Sequence, residues 1–518
     1  MDKLNDTEKN RGFVTLEILI AMMIILLALG ATMLVASGND SILVDSQTNA
    51  EALTITQKTL ENEQALARKD FKLVNSTTTT EITENTAYTK KVEVVTQPDF
   101  FTKRVTATIS WPGTYGRSPK VTLTGLVTNF ENAVGGSTCD SNLSGNWTTP
   151  QIKNTIDLAQ IVGDPSGTYP ITGLDAYLGK LYVIVNNTSV NTKPTFFVLN
   201  ITNPTSPTYI GGIDNAGSVS TGLNSVLIAT SSTDNYAYVA NAYDANFNTC
   251  KAAPYNAPTP PNCAQLQILD ITNSSSPIVK VNFEIPTSTP PYVLGNITPG
   301  SGQAVGKSIF YRNGYIYLGL SKTFSGPEFN IIDVHNPLTP HWVGSWPAAG
   351  ISSGYAINAI SVRGDYAYLA TPNPQELIIL DISNPSDPIQ VGTYDAAGGS
   401  GNGKSISVIG DNVYLGRTLG GKEFYILNSP AFTPTLLGNQ DINSSVNGLI
   451  VRDYLAFLLT NSQLQILNVG NPANISGYAT PITLPNSSTG SAIDCEGNYI
   501  FVGSNDPSNK GFISVIAP

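Results

Sequence analysis

The chain offers few residues suited to acid–base or metal chemistry. Its 518 residues include two histidines, His335 and His341, and four cysteines, Cys139, Cys250, Cys263 and Cys495. Two histidines exclude a His-rich metal site and disfavour imidazole catalysis. No C-x-x-C pair occurs, so the cysteines fit disulfides in an oxidising compartment better than zinc. G-x-S-x-G, H-E-x-x-H and EF-hand patterns are absent from the sequence. Asp244 in DANFNT and Asp506 in SNDPSNKG lack the spaced oxygen ligands of a Ca²⁺ loop and read as solvated turns. The remaining carboxylates are too scattered to mark a hydrolytic pair. The expectation is a protein that is not an enzyme, with no catalytic residue, metal or cofactor. The spacing that does suggest chemistry lies at the N-terminus. There the polar stretch MDKLNDTEKNRG meets an apolar run from Ile18 to Ala36, with Gly12–Phe13 at the junction and Glu17 just before the run. Nineteen helical residues rise about 28 Å, close to the roughly 30 Å hydrocarbon core. Cleavage at the junction would keep that segment and create an α-amine on Phe13. A charge in such surroundings costs about 2.5–3.5 kcal/mol, so Glu17 needs a cationic partner.

Gly12, Phe13 and Glu17 at this spacing, with Arg11 before and Leu16 and 18–23 after, resemble the processing motif of type IV prepilins. The Val14-Thr15 order departs from the usual Thr at the second mature position. The resemblance implies prepilin peptidase cleavage between Gly12 and Phe13, N-methylation of Phe13, and pairing of Glu17 with a neighbouring subunit's α-amine in a filament. It implies a leader over 1–12, a pilin-like domain over 13–135 with a transmembrane helix at 13–37, and a linker over 136–150. Expected partners are other pilin subunits, the prepilin peptidase and the inner membrane. The expected location is the cell membrane, single-pass with a cytoplasmic N-terminus, and then an extracellular pilus or the cell surface.

Several elements must support that arrangement. Leu43, Ala50, Leu53, Leu60, Ala67, Phe71 and Val74 recur at sums of three and four, one face of a helix continuing beyond the apolar run. KRVTATISW and PKVTLTGLVTNF alternate polar and apolar residues, predicting strands at 90–96, 102–111 and 120–130. The threonine run 77–80 reads as a loop leading into them. Net charge is −11 and the charged fraction 13%, which argues against a nucleic-acid partner. Abundant Gly and Pro suit an all-β region with many turns.

From about residue 171 the sequence repeats. INAISVRGDYAYLATPNPQELIILDISNPSDPIQVGTY aligns with copies beginning KSIFYRNGYIYLGL and KSISVIGDNVYLGR. LILDISNPSDP recurs as FVLNITNPTSP, LQILDITNSSSP and FNIIDVHNPLTP. Short strands between turn residues at this period mark propeller blades. The residues resemble the LVIVD-type β-propeller repeat. Six full copies and a partial seventh at 490–518 leave one strand missing, and QIKNTIDLAQIV at 151–162 can supply it. The expected fold class is therefore an α+β pilin domain, a long N-terminal helix plus a small antiparallel sheet, followed by an all-β seven-bladed propeller over 151–518.

Turns between first and second strands are short (LGK, RNG, RGD, IGD, EGN), whereas loops between second and third strands vary. Variable loops on a rigid scaffold make the expected ligand face, with Tyr243, Phe247, Tyr255, Tyr292 and Phe324 as aromatic candidates. Arg363-Gly364-Asp365 occupies an ordinary turn position. Cys250 and Cys263 bracket a twelve-residue insertion, where a bridge would contribute about 2–3 kcal/mol. Cys139 and Cys495 form the second expected pair. These features predict a minor type IV pilin or pilin-like subunit displaying a propeller for adhesion or recognition of an unknown extracellular protein or glycan. The alternatives are a pilus-displayed enzyme or carbohydrate-active propeller, and a pseudopilin that primes a type II secretion system.

Overall fold

The computed structural model describes residues 22–29, 47–67, 74–83, 86–96, 102–113, 118–128, 143–186, 194–213, 223–230, 235–241, 264–285, 305–323, 326–347, 353–372, 374–396, 400–429 and 433–518. It divides into two compact units, Met1–Phe130 and Glu131–Pro518.

In the first unit a meander of four antiparallel strands, Thr77–Thr83, Thr86–Thr96, Thr102–Ser110 and Lys120–Thr128, runs in sequence order. Its valines, Val92, Val105 and Val127, pack with Leu60 and Leu66 of the helix at 47–67. Thr56 and Thr59 on the buried helix face satisfy their hydroxyls by donating to Ala52 O (2.6 Å) and Ile55 O (2.7 Å). The threonine run 77–80 is a strand, not a loop: β-branched side chains favour the extended backbone and pair here with 89–92.

Two expectations are corrected. The chain is nearly all β rather than α+β, and among the described residues no long N-terminal helix of a pilin domain is seen. No described helix is long and apolar enough to cross a membrane. This overturns the transmembrane helix at 13–37 and the single-pass membrane location. Within that range residues 22–29 are described, as a helix, and the rest of 13–37 lies outside the described residues.

The second unit holds seven antiparallel sheets, six of four strands and one of five. Their innermost strands are Ile171–Tyr177, Leu223–Thr230, Gly306–Arg312, Ala359–Arg363, Gly403–Ile409, Val446–Arg452 and Thr489–Glu496. Each packs on the next, and the seventh packs back on the first. The unit is a propeller-like ring of blades 1 to 7. Blade 7 takes its outer strand from before blade 1: Gln151–Asp157 pairs antiparallel with Gly511–Ala517. The preceding segment docks on the turns of blades 6 and 7. Leu143 N donates to Asp453 (2.9 Å), Ser144 N to Asn498 (3.0 Å), and Trp147 meets Phe457 edge-on at 5.0 Å.

Local chemistry explains the repeat. Turns after the innermost strands place Gly179, Gly314, Gly364, Gly410 and Gly497 at positive φ, the region glycine tolerates best. In the Asn-Pro element, Asp270, Asp333 and Asp381 accept the N–H two residues on, and Asn273, Asn336 and Asn384 repeat the arrangement. Gln265, Glu328, Glu376 and Glu423, each just before the third strand of its blade, accept N–H groups from Ile285, Ser353, Ala396 and Ile442. These buried acceptors tie each third strand to the chain leaving the fourth.

Candidate functional site

The channel mouth where the innermost strands begin is a cavity of about 590 Å³. Its seven equivalent positions, two residues before the first channel-lining aliphatic of each strand, are Thr172, Asn224, Lys307, Asn358, Lys404, Asn447 and Ser491. Deeper in, Leu174, Val226, Ile309, Ile360, Ile406, Leu449 and Ile493 line a narrower cavity of about 290 Å³. The mouth is thus a polar cup over an aliphatic collar.

Most members of the ring close seams between blades. Thr172 donates to Leu223 O, Asn224 to Gly306 O (2.7 Å), Asn358 to Gly403 O (2.6 Å) and Asn447 to Gly490 O (2.9 Å). Blades 3 and 5 differ. Their ring residues are Lys307 and Lys404, and the following serines close the seam: Ser308 donates to Ile357 O (2.8 Å) and Ser405 to Val446 O (3.1 Å). Lys307 Nζ donates to Asn358 Oδ1 at 2.5 Å. Burial, helped by the charge of Lys404, pulls the Lys307 ammonium down to about 8; burial also lowers Lys404. No carboxylate belongs to the described residues that line the cup.

Beside the collar, Asp175 accepts from Ile228 N and Asp494 from Ala176 N, both at 2.6 Å. Each carboxylate thereby binds the backbone of the next blade. Both border the channel yet are enclosed by protein. Burial raises both, to about 7 for Asp494, and the charge of Asp494 raises Asp175 further. Their acceptor atoms hold a seam, and the two carboxyl groups also share a hydrogen bond with each other, with Glu496 nearby.

Gly12, Phe13, Glu17, Cys139, Cys250, Cys263, Tyr243, Phe247, Tyr255, Tyr292 and Phe324 lie outside the described residues, as does Asp244. Cys495 is buried beside Trp147 and is disulfide-bonded, its partner also outside the described residues. Asp506 caps its own turn, accepting from Ser508 N and Lys510 N at 2.8 Å. Arg363 is buried and donates to Asp411 at 2.8 Å, so its turn knits two blades. Both histidines meet one carboxylate, His335 at 2.8 Å and His341 at 3.5 Å from Asp333, with exposed rings. Among the described residues no group of three His, Cys, Asp or Glu side chains is placed to hold a metal ion.

The sequence reading missed the lysine ring positions. Their signal was GKSIF at 306–310 and GKSIS at 403–407, where aligned copies carry INAIS and VNGLI. Sorting the repeats by register would have put each lysine opposite an asparagine.

Among known proteins, the LVIVD repeat family matches residues 262–284 and 353–396. A solved structure with similarity to the chain is that of the computationally designed Ika8 protein, 9% identical over 68% of this chain and 97% of that chain, with a TM-score of 0.39. No curated protein matches the chain.

Proposed function

We propose that the protein is a non-enzymatic recognition subunit whose propeller-like domain binds a ligand in the cup. LVIVD repeats and seven consecutive sheets support the scaffold, and the observation that carries the reading is the polar ring above the aliphatic collar. Concave sites with a few convergent polar groups are the usual form of ligand pockets. The described residues lining the cup include no carboxylate, histidine or cysteine for acid–base or covalent chemistry. The full-length protein, wild type and with the cup-filling Ser491→Trp, should be applied to arrays of glycans and surface proteins. A wild-type signal reduced at least tenfold by Ser491→Trp is expected. A signal indifferent to that change, or none on either array, defeats the reading.

The motif Gly12, Phe13 and Glu17 supports a second element of the proposal, incorporation into a type IV pilus or related filament as a minor subunit. Glu17→Ala should leave cleavage after Gly12 intact while abolishing immunogold labelling of filaments. Labelling at wild-type density would end the assembly role.

A further inference from the structure

We propose that the cup is an oxyanion site, taking a sugar that bears a carboxylate or phosphate group. The inference rests on the recognition reading above and names the ligand's chemistry.

The first argument is register. In blades 1, 2, 4 and 6 the ring residue joins its blade to the next through Thr172, Asn224, Asn358 and Asn447. In blades 3 and 5 the seam is closed by Ser308 and Ser405 instead. The backbone seams of blades 3 and 5 thus close without the lysines; the Lys307 ammonium adds one bond across its seam, to the amide oxygen of Asn358, and that bond leaves its charge without an anion.

The second argument is charge. A buried cation is costly unless it is paired. The chain is acidic overall, with 38 Asp and Glu against 27 Lys and Arg. Even so, both lysines line one cavity in which no described lining residue is a carboxylate. The cation elsewhere in blade 5 is treated differently: buried Arg417 has Glu376 at 2.7 Å. An oxyanion entering the cup would meet both ammonium groups in one cavity and would offset the charge of Lys404 that acts on Lys307. Burial and the facing charge of Lys404 lower the affinity of Lys307 for its proton, as expected of a cation lacking an anionic partner.

The third argument concerns the rest of the ligand. Around the lysines the cup is lined by Asn224 and Asn447, whose seam bonds use the amide nitrogen and not the oxygen, and by Ser321, Thr489 and Ser491. Donors and acceptors arrayed in a ring match a polyol better than an apolar body. The aliphatic collar beneath offers one face for the C–H surface of a sugar ring.

Titration calorimetry on the full-length protein tests this with matched pairs: trigalacturonate against its methyl ester, and maltotriose 6-phosphate against maltotriose. At least one anion should bind ten times or more tightly than its neutral partner, and the preferred pair tells carboxylate from phosphate. Lys307→Met with Lys404→Met should erase that preference while melting no lower than wild type. Equal binding within both pairs, or an anion preference that survives the double substitution, overturns the inference. Neutral sugars that bind equally well and are lost in Ser491→Trp would end the oxyanion site but leave the recognition reading standing. Absence of binding by all four ends the oxyanion site, and the array experiment then decides the recognition reading.

Discussion

Blade 5 holds two poorly solvated cations, Arg417 buried and Lys404 half-buried, and surrounds them in opposite ways. Arg417 donates to Glu376 (2.7 Å), Gly401 O (3.0 Å), Lys422 O (3.0 Å) and the Tyr425 hydroxyl (3.2 Å), and lies over the Tyr425 ring at 5.3 Å. Its planar guanidinium fork reaches four acceptors in fixed directions, one more than the three donors of a lysine ammonium could serve. Lys404 lines a cavity with another lysine and no described carboxylate. The first arrangement belongs to the framework: it joins blade 4 to blade 5 and fixes the strand ends around the cup. The second leaves charge directed at a space large enough for a ligand. Local energetics thus separate a structural cation from one whose partner comes from outside.

The comparison breaks most visibly if the framework pair is cut. Glu376→Ala leaves the fully buried Arg417 without its carboxylate and removes the acceptor of Ala396 N. The expected loss is about 3–5 kcal/mol, read by chemical denaturation. Replacing both partners, Glu376→Leu with Arg417→Met, should recover much of that loss, since an apolar pair has no stranded charge. A Glu376→Ala variant within 1 kcal/mol of wild type would place Arg417 in the same class as Lys404.

A second framework contact responds to pH. Asp494 is raised from 3.8 to about 7, chiefly by burial, and its neighbours Asp175 and Glu496 share the channel seam. The folded state therefore holds protons that the unfolded chain has released. Stability from this group is fully present below about pH 4 and is lost as pH rises through about 7. The loss should be on the order of 2–4 kcal/mol. Differential scanning calorimetry at pH 5 and pH 8 should show a higher Tm at pH 5, and Asp494→Asn should shrink the gap by at least half. An unchanged gap in that variant would assign the effect to another group.

What the sequence disclosed depended on the range of the interactions involved. The blades were legible because the Asn-Pro element and the short turns satisfy their own backbone groups within two residues, so their chemistry repeats in the text. The closing strand was legible by subtraction, since the last repeat stops one strand short and 151–157 supplies it. In the N-terminal unit four threonines in succession look like a loop, yet their β-branched side chains make them a strand. The cup was hidden for another reason. Its residues come from seven strands between residues 172 and 491, and only the ring register brings them together. The long variable loops stand out in the sequence, whereas the lysines sit on innermost strands.

The smallest expected effect is the sharpest test of the opening comparison. If Lys307 and Lys404 are held for a ligand, the unliganded fold should not depend on their charge. Met keeps the length and apolar stem of lysine and lacks the ammonium. Lys307 is lowered from 10.5 to about 8, so at neutral pH the folded protein carries a cation that the unfolded chain solvates better. The sign follows: the unfolded state binds this proton more tightly, so the group's contribution to stability improves as pH rises above about 8. Removing the ammonium at pH 7 should leave stability unchanged or raise it by about 1 kcal/mol, after allowing for the lost bond to Asn358. Lys404→Met should behave alike, and the double variant should at least match either single one because the mutual repulsion also disappears. Denaturant midpoints at pH 7 and pH 9.5 decide the matter, with the advantage of Lys307→Met fading at the higher pH. A clear loss of stability in either lysine variant would make that lysine a seam residue like Asn224, and the two cations of blade 5 would no longer differ in kind.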